Sequence, residues 1–192
     1  MNVVETTLPG VVILEPKAFG DSRGFFLESF NKERHAGAGL NVEFVQDNHS
    51  RSQARVLRGL HFQRGQGKLV SVVRGAIFDV AVDIRPDSPN FGQWTSAELN
   101  DENHHQLYIP PGFAHGFAVL SEMADVLYKT TDYYKPELEG GFAWNDPDVD
   151  VEWPLDDPIL SDRDQKSPQL KEIPADQLTT LAQLRDMGRE NG

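Results

Sequence analysis

The chain of 192 residues has no cysteine and no long apolar run. Without cysteine it forms no disulfides, thiolate nucleophiles or thiolate metal sites. No apolar run approaches the roughly 18 residues of a membrane span, and the N-terminus lacks the basic start and apolar core of a signal peptide. We therefore expect a soluble, cytoplasmic protein with no membrane partner.

Basic residues are also scarce. The chain has 18 Lys and Arg against 30 Asp and Glu, which gives a formal net charge of −12. Proteins that bind nucleic acid present an extended basic surface to the phosphates, and this composition does not provide one. Nucleic acid is therefore not expected as a partner.

One stretch reverses this balance, because no carboxylate lies between Asp47 and Asp79. His61 lies in its middle, in the run LRGLHFQ, and is surrounded by basic residues: Arg51, Arg55, Arg58, Arg64, Lys68 and Arg74. A local positive field around a titratable imidazole indicates a site for an anionic ligand with acid/base chemistry. The alternative is a basic surface strand with a structural histidine.

The dominant hydrophobic period is two, which predicts a mainly β protein. Residues 70–85 read as two half-buried strands joined by a hairpin turn at Arg74-Gly75. Further short strands are predicted at Val11–Leu14, Phe25–Phe30, Val42–Val45, Gln106–Ile109, Phe117–Leu120 and Val126–Thr131. Turn signals separate them at 21–24, 85–90, 110–112 and 139–141. Many short strands at this spacing favour a sandwich or jelly roll.

Helix is predicted in only two places. Residues 31–38 are compatible with a short helix, and an amphipathic pattern runs from Pro174 through Leu178, Leu181, Leu184 and Met187 to Gly188. The length suits a single domain of residues 1–192. We expect a β core over about residues 5–165 and a helical tail over about residues 168–192.

Four of the six histidines carry no site pattern: His35, His49, His104 and His105. The last two follow a polar run and are expected to be solvated loop residues. His61 and His115 differ, because each follows a glycine turn in an apolar strand context. A core histidine bonded to backbone is the alternative for each, but two in matching contexts favour a shared cavity.

These two segments resemble the paired motifs of the cupin superfamily, in which a glycine-led H-x-H with a later Glu and a P-x-G-x-x-H supply metal ligands. Here the first motif reads His61-Phe62-Gln63, so its second histidine is missing, and Lys68 stands where a metal would need a carboxylate. A divalent ion needs three or four neutral or anionic ligands. The resemblance implies a double-stranded β-helix or jelly-roll barrel, and the departures from it predict a pocket without metal or cofactor.

Over roughly residues 5 to 170 the chain resembles one cupin family, the dTDP-4-dehydrorhamnose 3,5-epimerases with their dTDP-sugar 3- or 5-epimerase relatives. The segments that carry the resemblance are DSRGFFLESFN (21–31), QDNHS (46–50), LRGLHFQ (57–63), QGKLVSVVRGAIFDVAVDIRPDSPNFGQW (66–94), ENHHQLYIPPGFAHGFAVLSE (102–122), YKTTDYYKPELEGGFAWNDP (128–147), VEWP (151–154) and LSDRD (160–164). One departure is the loop between His61 and Lys68, which is about three residues shorter than in many members.

The resemblance implies a set of catalytic residues: His61, Lys68, Tyr128 and Asp164. Protons next to a 4-keto group are weakly acidic, so their removal requires a base and a stabiliser for the enolate. His61 is the implied base, oriented by Asp164, and Lys68 is the implied stabiliser. Tyr128 is the implied acid on the opposite face of the ring. Without the resemblance, Tyr128 would read as an amphipathic strand tyrosine.

The resemblance also implies substrate-binding residues. Arg23 and Arg58 match residues that hold the diphosphate, and guanidinium forks suit that group. The remaining implied contacts are Gln46, Asn48, Phe26, Glu28, Tyr134, Glu139 and His115. Phe26 and Glu28 match residues that engage the thymine, often from a neighbouring subunit, although core packing is an alternative for Phe25 and Phe26. Asp83 and His115 are expected to form a second polar pair inside the barrel.

The expected activity is cofactor-free epimerisation of carbon 3, carbon 5 or both in a dTDP-linked 4-keto-6-deoxy sugar. A dTDP-sugar 3- or 5-epimerase of another pathway, a sugar-nucleotide 3,4-ketoisomerase and a non-catalytic sugar-binding cupin are the alternatives. A homodimer is expected because residues 21–31 read as an apolar strand after a tight turn, and its exposed edge would need cover.

Overall fold

Residues 1–190 are described by the computed structural model, with backbone only for residues 187–190. The predicted helix contact at Met187 and the predicted domain end at Gly192 lie outside the described side chains or residues. The predicted helix stop at Gly188 is wrong, because the described backbone stays helical through Glu190. The described strands are β1 Asn2–Glu5, β2 Val12–Glu15, β3 Ala18–Asp21, β4 Gly24–Leu27, β5 Gln46–Gln53, β6 Leu57–Gln63, β7 Lys68–Arg74, β8 Ala76–Asp83, β9 Trp94–Asn100, β10 Gln106–Ile109, β11 Phe113–Val119, β12 Met123–Thr130 and β13 Glu139–Gly141. The helices are α1 Lys32–Gly37 and α2 Leu181–Glu190.

Two antiparallel sheets form the body of the protein. One has the strand order β1-β2-β10-β7-β12-β5 and the other has the order β13-β6-β11-β8-β9. Strands β3 and β4 form a separate hairpin. The main core contains side chains from both sheets, including Val70, Val126 and Phe113. The prediction of a mainly β jelly roll with a short C-terminal helix is confirmed.

The five-stranded sheet is covered on both faces. In β8, Ile77 and Ala81 belong to the core between the sheets, whereas Val80 and Val82 pack with Leu170 and other C-terminal residues on the outer face. Burial on both faces explains why the sequence of β8 is a nearly continuous apolar run. The chain after β13 therefore crosses the outside of this sheet.

The predicted hairpin at Arg74-Gly75 is wrong. Strand β7 pairs with β10 and β12, whereas β8 pairs with β9 and β11, so the chain passes from one sheet to the other at Gly75. Gly75 has φ 77°, and a Cβ there would lie 2.0 Å from the carbonyl oxygen of Met123. The glycine marks a tight sheet-to-sheet crossing, which local sequence does not distinguish from a hairpin turn.

Several predicted boundaries also need correction. Residues 42–45 form no strand, and Val42 and Phe44 pack instead against a third apolar cluster with Leu40 and Tyr108. The strand predicted to continue to Phe30 ends at Leu27. The C-terminal helix begins only at Leu181, because Leu178 is extended and buried after a 3₁₀ turn at Ala175–Gln177.

Neither described helix is long and apolar enough to cross a membrane.

Candidate active site

A cavity of about 590 Å³ lies between the two sheets. Its lining brings together ten of the thirteen site residues expected from the sequence: Gln46, Asn48, Arg58, His61, Lys68, His115, Tyr128, Tyr134, Glu139 and Asp164. Arg23, Phe26 and Glu28 are not among the lining residues. The basic stretch without carboxylates supplies its centre, since β6 and the start of β7 form part of the wall.

His61 and Asp164 form a direct pair at this cavity. The Nε2 atom of His61 lies 2.6 Å from Oδ1 of Asp164, which begins a 3₁₀ turn after the chain has crossed the sheet. Burial would raise the pKa of Asp164, but hydrogen bonds from His61, the Ser161 hydroxyl and the Gly59 N–H hold that pKa below its usual value. An ionised carboxylate fixes the proton on Nε2 and leaves Nδ1 as the basic nitrogen.

Glycine makes the placement of His61 possible. Gly59 has φ 138°, and a Cβ at this position would lie 2.6 Å from the Cα of Gly116 on β11. The backbones of β6 and β11 therefore approach more closely than any side chain allows. In this register His61 lies opposite His115.

Lys68 begins β7 and projects into the same cavity. Burial lowers the pKa of Lys68 to about 8, and the negative charges of Glu139 and Asp79 oppose this shift. Within the described part of the chain, its ammonium has no hydrogen bond and no ion pair within 4.0 Å. The lysine is thus a cation without a bound partner, available to a developing negative charge.

Tyr128 lies on β12, in the six-stranded sheet, whereas His61 lies on β6 in the facing sheet. Burial raises the pKa of the Tyr128 phenol, which the positive charge of Arg58 opposes and the negative charge of Glu139 reinforces. The phenol is therefore protonated at neutral pH and able to donate. His61 and Tyr128 therefore line one cavity from opposite sheets.

A second histidine–carboxylate pair is buried beside the first, but it differs from the expected one. His115 Nε2 lies 2.6 Å from Oδ1 of Asp79, not from Asp83. His115 is opposite Ala81, so Asp79 and Asp83 are both diagonal neighbours on the same face. The side chains of Arg85 and Ser88 already bind Asp83, which leaves Asp79 for the histidine. The predicted Asp83–His115 pair is therefore wrong.

Polar residues extend the cavity toward its mouth. Arg58 donates from Nε to the Ser52 hydroxyl at 2.9 Å, which orients its guanidinium. The side chain of Gln46 donates to Asn48 Oδ1 at 3.0 Å. Gln46, Asn48 and Arg58 all line the cavity.

Arg163 is a cavity residue that the sequence analysis missed. Its Nη1 atom donates to Oε2 of Glu139 at 3.0 Å, and the Tyr134 hydroxyl donates to the same oxygen at 2.9 Å. The side-chain hydrogen bond to Glu139 raises the pKa of Tyr134. The sequence signal that could have identified Arg163 is its position next to Asp164 in the run Ser-Asp-Arg-Asp. Gln63, Gln66 and Asp79 were missed because neither neutral amides nor a carboxylate in a strand has a distinctive pattern.

Three expected binding residues lie away from this cavity, near or on the β3–β4 hairpin. The side chain of Arg23 is 87% exposed and bonds to Asp21 in the same turn. Phe26 is 71% exposed, and Glu28 contacts Arg34 and Asn31. The structure does not place these residues with His61 in one subunit.

The other histidines have structural contacts. His35 is buried, bonds to the Asn31 carbonyl and lies against Phe30. His49 Nε2 lies 3.2 Å from Asp125. His104 and His105 lie in a loop, as predicted, but both are half-buried and the ring of His104 lies 4.5 Å from that of Phe25.

Among the side chains that the structure describes, no group of three or more His, Asp or Glu has an arrangement that would hold a metal ion. The residue in place of the second cupin histidine, Gln63, uses its amide to bind the backbone of Tyr133 and Lys135. The fold and the site together define a jelly-roll barrel with an acid/base pocket.

The sequence profile of a family described as dTDP-4-dehydrorhamnose 3,5-epimerase matches residues 5–172. The dTDP-4-dehydrorhamnose 3,5-epimerase of Salmonella typhimurium is 56% identical over 175 residues, which cover 88% of this chain and 96% of that protein. A crystal structure of a dTDP-6-deoxy-D-glucose-3,5-epimerase from Legionella pneumophila, in complex with dTDP-4-keto-L-rhamnose, is 51% identical with a TM-score of 0.90 and covers 93% of this chain and 97% of that one. A 3'-monoepimerase from Streptomyces bikiniensis, in complex with dTDP-quinovose, is 32% identical with a TM-score of 0.88 and covers 96% of each chain.

The chain belongs to the dTDP-4-dehydrorhamnose 3,5-epimerase family. The resemblance read from the sequence is confirmed, together with its cupin-type barrel.

Proposed function

We propose that the protein is a cofactor-free epimerase that inverts carbons 3 and 5 of a dTDP-4-dehydro-6-deoxyhexose, as a dTDP-4-dehydrorhamnose 3,5-epimerase does. The observation that carries this proposal is the placement of the His61–Asp164 pair and Tyr128 on opposite sheets of one cavity. Inversion of a carbon requires removal of a proton from one face and delivery of a proton to the other. A binding module has no use for that arrangement.

The reaction follows from the charges in the cavity. His61 takes the proton next to the 4-keto group, and Asp164 stabilises the imidazolium that forms. Electron density moves onto the keto oxygen, where the ammonium of Lys68 compensates the enolate charge. Tyr128 then donates its phenolic proton to the carbon from the opposite side. Each inversion returns the keto group but leaves His61 protonated and Tyr128 deprotonated. His61 then releases its proton to solvent and Tyr128 takes one up, after which the same residues serve the second carbon.

The remaining cavity residues form the proposed substrate contacts. We assign the diphosphate to Arg58 and the sugar to Gln46, Asn48, His115, Tyr134 and Glu139, because all six residues line the cavity. The basic centre of an otherwise acidic chain favours an anionic ligand here. The relatives whose structures contain dTDP-sugars support a dTDP-linked substrate.

The homodimer is a further part of the proposal, as is a cytoplasmic location. Arg23, Phe26 and Glu28 lie outside the cavity of their own chain, and Phe19, Phe25 and Phe26 are each more than half exposed. A partner subunit would cover these rings and receive the three binding residues at its own cavity.

Incubation with dTDP-4-dehydro-6-deoxyglucose in deuterated water tests the activity. The proposed 3,5-epimerase incorporates deuterium at both carbons and yields the doubly inverted sugar, as read by NMR. The similarity to a 3'-monoepimerase supports a second candidate, which would place deuterium and inversion at carbon 3 alone. Keto transfer between carbons would instead identify a 3,4-ketoisomerase, and the absence of exchange would identify a binding protein.

Independence from metal is tested in the same assay. An ammonium in the cavity opposes a divalent cation, and Gln63 uses both ends of its amide on the backbone. We expect full activity after dialysis against a chelator. Activity that is lost to the chelator and restored by one ion would contradict this part of the proposal.

A further inference from the structure

Residues 132–135 carry Tyr134 to the mouth of the cavity but belong to no strand. Glutamine side chains hold their backbone where a neighbouring strand would otherwise do so. Gln66 donates to the Asp132 carbonyl at 2.9 Å, and Gln46 accepts from the Tyr134 N–H at 3.1 Å. Gln63 provides the other two bonds.

Gln63 binds the peptide groups on both sides of Tyr134. Its Nε2 donates to the Tyr133 carbonyl at 2.9 Å, and its Oε1 accepts from the Lys135 N–H at 2.8 Å. The Gln63 residue is only 5% exposed, so the bonds compete little with water. A primary amide carries a donor and an acceptor together, which neither a carboxylate nor an apolar chain does.

The four hydrogen bonds from Gln46, Gln63 and Gln66 form a clamp on the backbone of residues 132–135. The turn that carries two of these glutamines is itself firmly held. Only four residues, 64–67, connect β6 to β7, and Gly67 N–H donates to the Thr131 hydroxyl at 2.8 Å. The C-terminal segment holds the same turn, because Arg64 donates to the Asp176 carbonyl and Gly65 N–H donates to the Thr179 hydroxyl. Gln63, Gln66 and Lys68 are therefore fixed by one short, anchored connection.

We propose that Gln63 and Gln66 are positioning residues that hold the Tyr134 ring at the site of the hexose. This inference rests on the proposed function and assigns a role to two residues that take no part in proton transfer. Neutral amides fix the segment without adding charge beside His61 and Lys68. The Tyr134 ring, anchored at its hydroxyl by Glu139 and at its backbone by the glutamines, becomes a preformed wall for the sugar.

The first test compares Gln63→Met and Gln66→Met with Gln93→Met, a change of an exposed glutamine outside the cavity. We expect kcat/KM for Gln63→Met to fall about tenfold to hundredfold, mainly through a higher KM, because a preformed wall contributes to binding. Gln66→Met loses one bond and should fall less. Gln63→Glu keeps the acceptor for Lys135 but turns a carboxylate oxygen toward the Tyr133 carbonyl and adds charge beside His61 and Lys68, so it should lose at least as much as Gln63→Met.

A double-mutant cycle separates positioning from general destabilisation. In a Tyr134→Ala background the ring is absent, so adding Gln63→Met should change kcat/KM by no more than about twofold. The same loss with and without the ring would overturn the proposal, as would a Gln63→Met enzyme within about twofold of wild type. If Gln63→Met fails to fold, Gln66→Met completes the same cycle.

Hydrogen exchange tests the clamp without reference to activity. Amide hydrogens of residues 132–138 should exchange faster in Gln63→Met than in Gln93→Met, while the strands keep their protection. Unchanged exchange would contradict the clamp even in an active enzyme. A wild-type protein that turns over no dTDP-sugar but shows the exchange difference would refute the proposed function and leave the clamp in place.

Discussion

His61 and His115 are opposite each other on neighbouring strands, and each lies 2.6 Å from a buried carboxylate. Their exposure distinguishes them, since the side chain of His61 is 31% exposed and that of His115 is 10% exposed. A general base must reach its substrate. His61 therefore fits the role of base, and His115 supports the cavity wall.

Replacement of His61 by Asn should lower kcat about a hundredfold to ten-thousandfold, because a positioned base is lost. Steady-state kinetics measure this change, and calorimetry with dTDP should show nearly unchanged nucleotide binding. His115→Asn is the matched control and should retain more activity. Turnover of His61→Asn within a few-fold of wild type would remove His61 as the base.

Replacement of Tyr128 by Phe should separate exchange from inversion. The His61–Asp164 pair is left intact, so protons next to the keto group should still exchange with deuterated solvent. Little inverted sugar should form, because the donor on the six-stranded sheet is gone. Mass spectrometry and NMR read the two events separately. Undiminished exchange and inversion would show that Tyr128 is a packing residue.

The pH dependence of kcat should report the charge of Lys68. Burial lowers the pKa of Lys68 to about 8, so its ammonium is present below that pH and is lost as the pH rises through it. We expect kcat to fall on the alkaline side with a midpoint near pH 8. Because the negative charge of Glu139 raises the pKa of Lys68, Glu139→Gln should move that midpoint to lower pH.

The exposed Glu137 provides the control for this measurement, and Glu137→Gln should leave the midpoint in place. Lys68→Arg should remove the alkaline fall, because a guanidinium keeps its charge over this range. An alkaline midpoint that does not move in Glu139→Gln would contradict the role of Lys68.

At the scale of single elements, β5 has an unusual composition. All eight of its residues are polar, yet it pairs with β12 along its whole length, from Gln46 opposite Thr130 to Gln53 opposite Met123. A bidentate contact from Arg51 to Asp125 joins the two strands at 2.7 and 2.8 Å, and His49 contacts the same carboxylate. Cross-strand charge pairs replace apolar packing on this outer face.

The Arg51–Asp125 contact should make stability depend on pH. Hydrogen bonds from Arg51 lower the pKa of Asp125 to about 2, with burial opposing and His49 assisting. The unfolded chain has the ordinary value near 4, so this stabilisation is complete above about pH 4 and is lost as the pH falls toward 2. Asp125→Asn should therefore have a lower Tm at pH 7, and its difference from wild type should shrink below pH 4.

Thermal unfolding followed by circular dichroism at several pH values measures this difference. Asp157→Asn is the control, because Asp157 pairs with Arg55 at the surface with a side chain 92% exposed and should contribute little. A constant difference between Asp125→Asn and wild type from pH 7 to pH 2 would contradict the prediction.

Strand β5 also shows a limit of predicting strands from apolar alternation in the sequence. Apolar alternation identified β10 and most of β8 and β12, because their side chains face the core. Residues 46–53 carry no such signal and become a strand only by pairing with β12. Residues 42–45 carry an apolar signal and form no strand, because they pack as a loop over Leu40 and Tyr108. In both segments the presence of a partner strand determines whether a strand forms, and the partner is distant in the sequence.

The candidate site was predictable where chemistry leaves a pattern. The glycine-led turns singled out His61 and His115, and the family resemblance supplied Tyr128 and Asp164. The alternation of apolar residues in β8 predicts which side chains share a face. It does not predict whether Asp79 or Asp83 contacts His115, because both lie on the same face. Gln63 could be recognised only as a missing ligand, because its role depends on a backbone segment 70 residues further along the chain.

At the scale of the whole molecule, the β3–β4 hairpin is the part least explained by a single chain. Phe19, Phe25 and Phe26 are 56%, 62% and 71% exposed. A second cavity of about 650 Å³ lies beside them, over the outer face of the six-stranded sheet. Rings of this size are rarely left in water at the surface of a monomer. A second copy of the chain would cover them.

A mixing experiment tests whether the dimer shares its active sites. Arg23→Ala and His61→Asn should each be nearly inactive alone. In a hybrid dimer one site combines the intact His61 of one subunit with the intact Arg23 of the other, so random subunit exchange should restore about a quarter of wild-type activity. A monomer by light scattering, or complete exchange without recovery, would contradict shared sites.

The distance along the chain between His61 and Asp164 has a consequence for biosynthesis. The two residues are 103 positions apart, and the last described strand ends at Gly141, before Asp164 has been added. Chains are synthesised from the N-terminus, so the sequence of every described strand is made while the histidine still lacks its carboxylate. A chain that stops in this interval lacks the carboxylate partner of His61 and also the residues around Leu170 that cover the outer face of the five-stranded sheet.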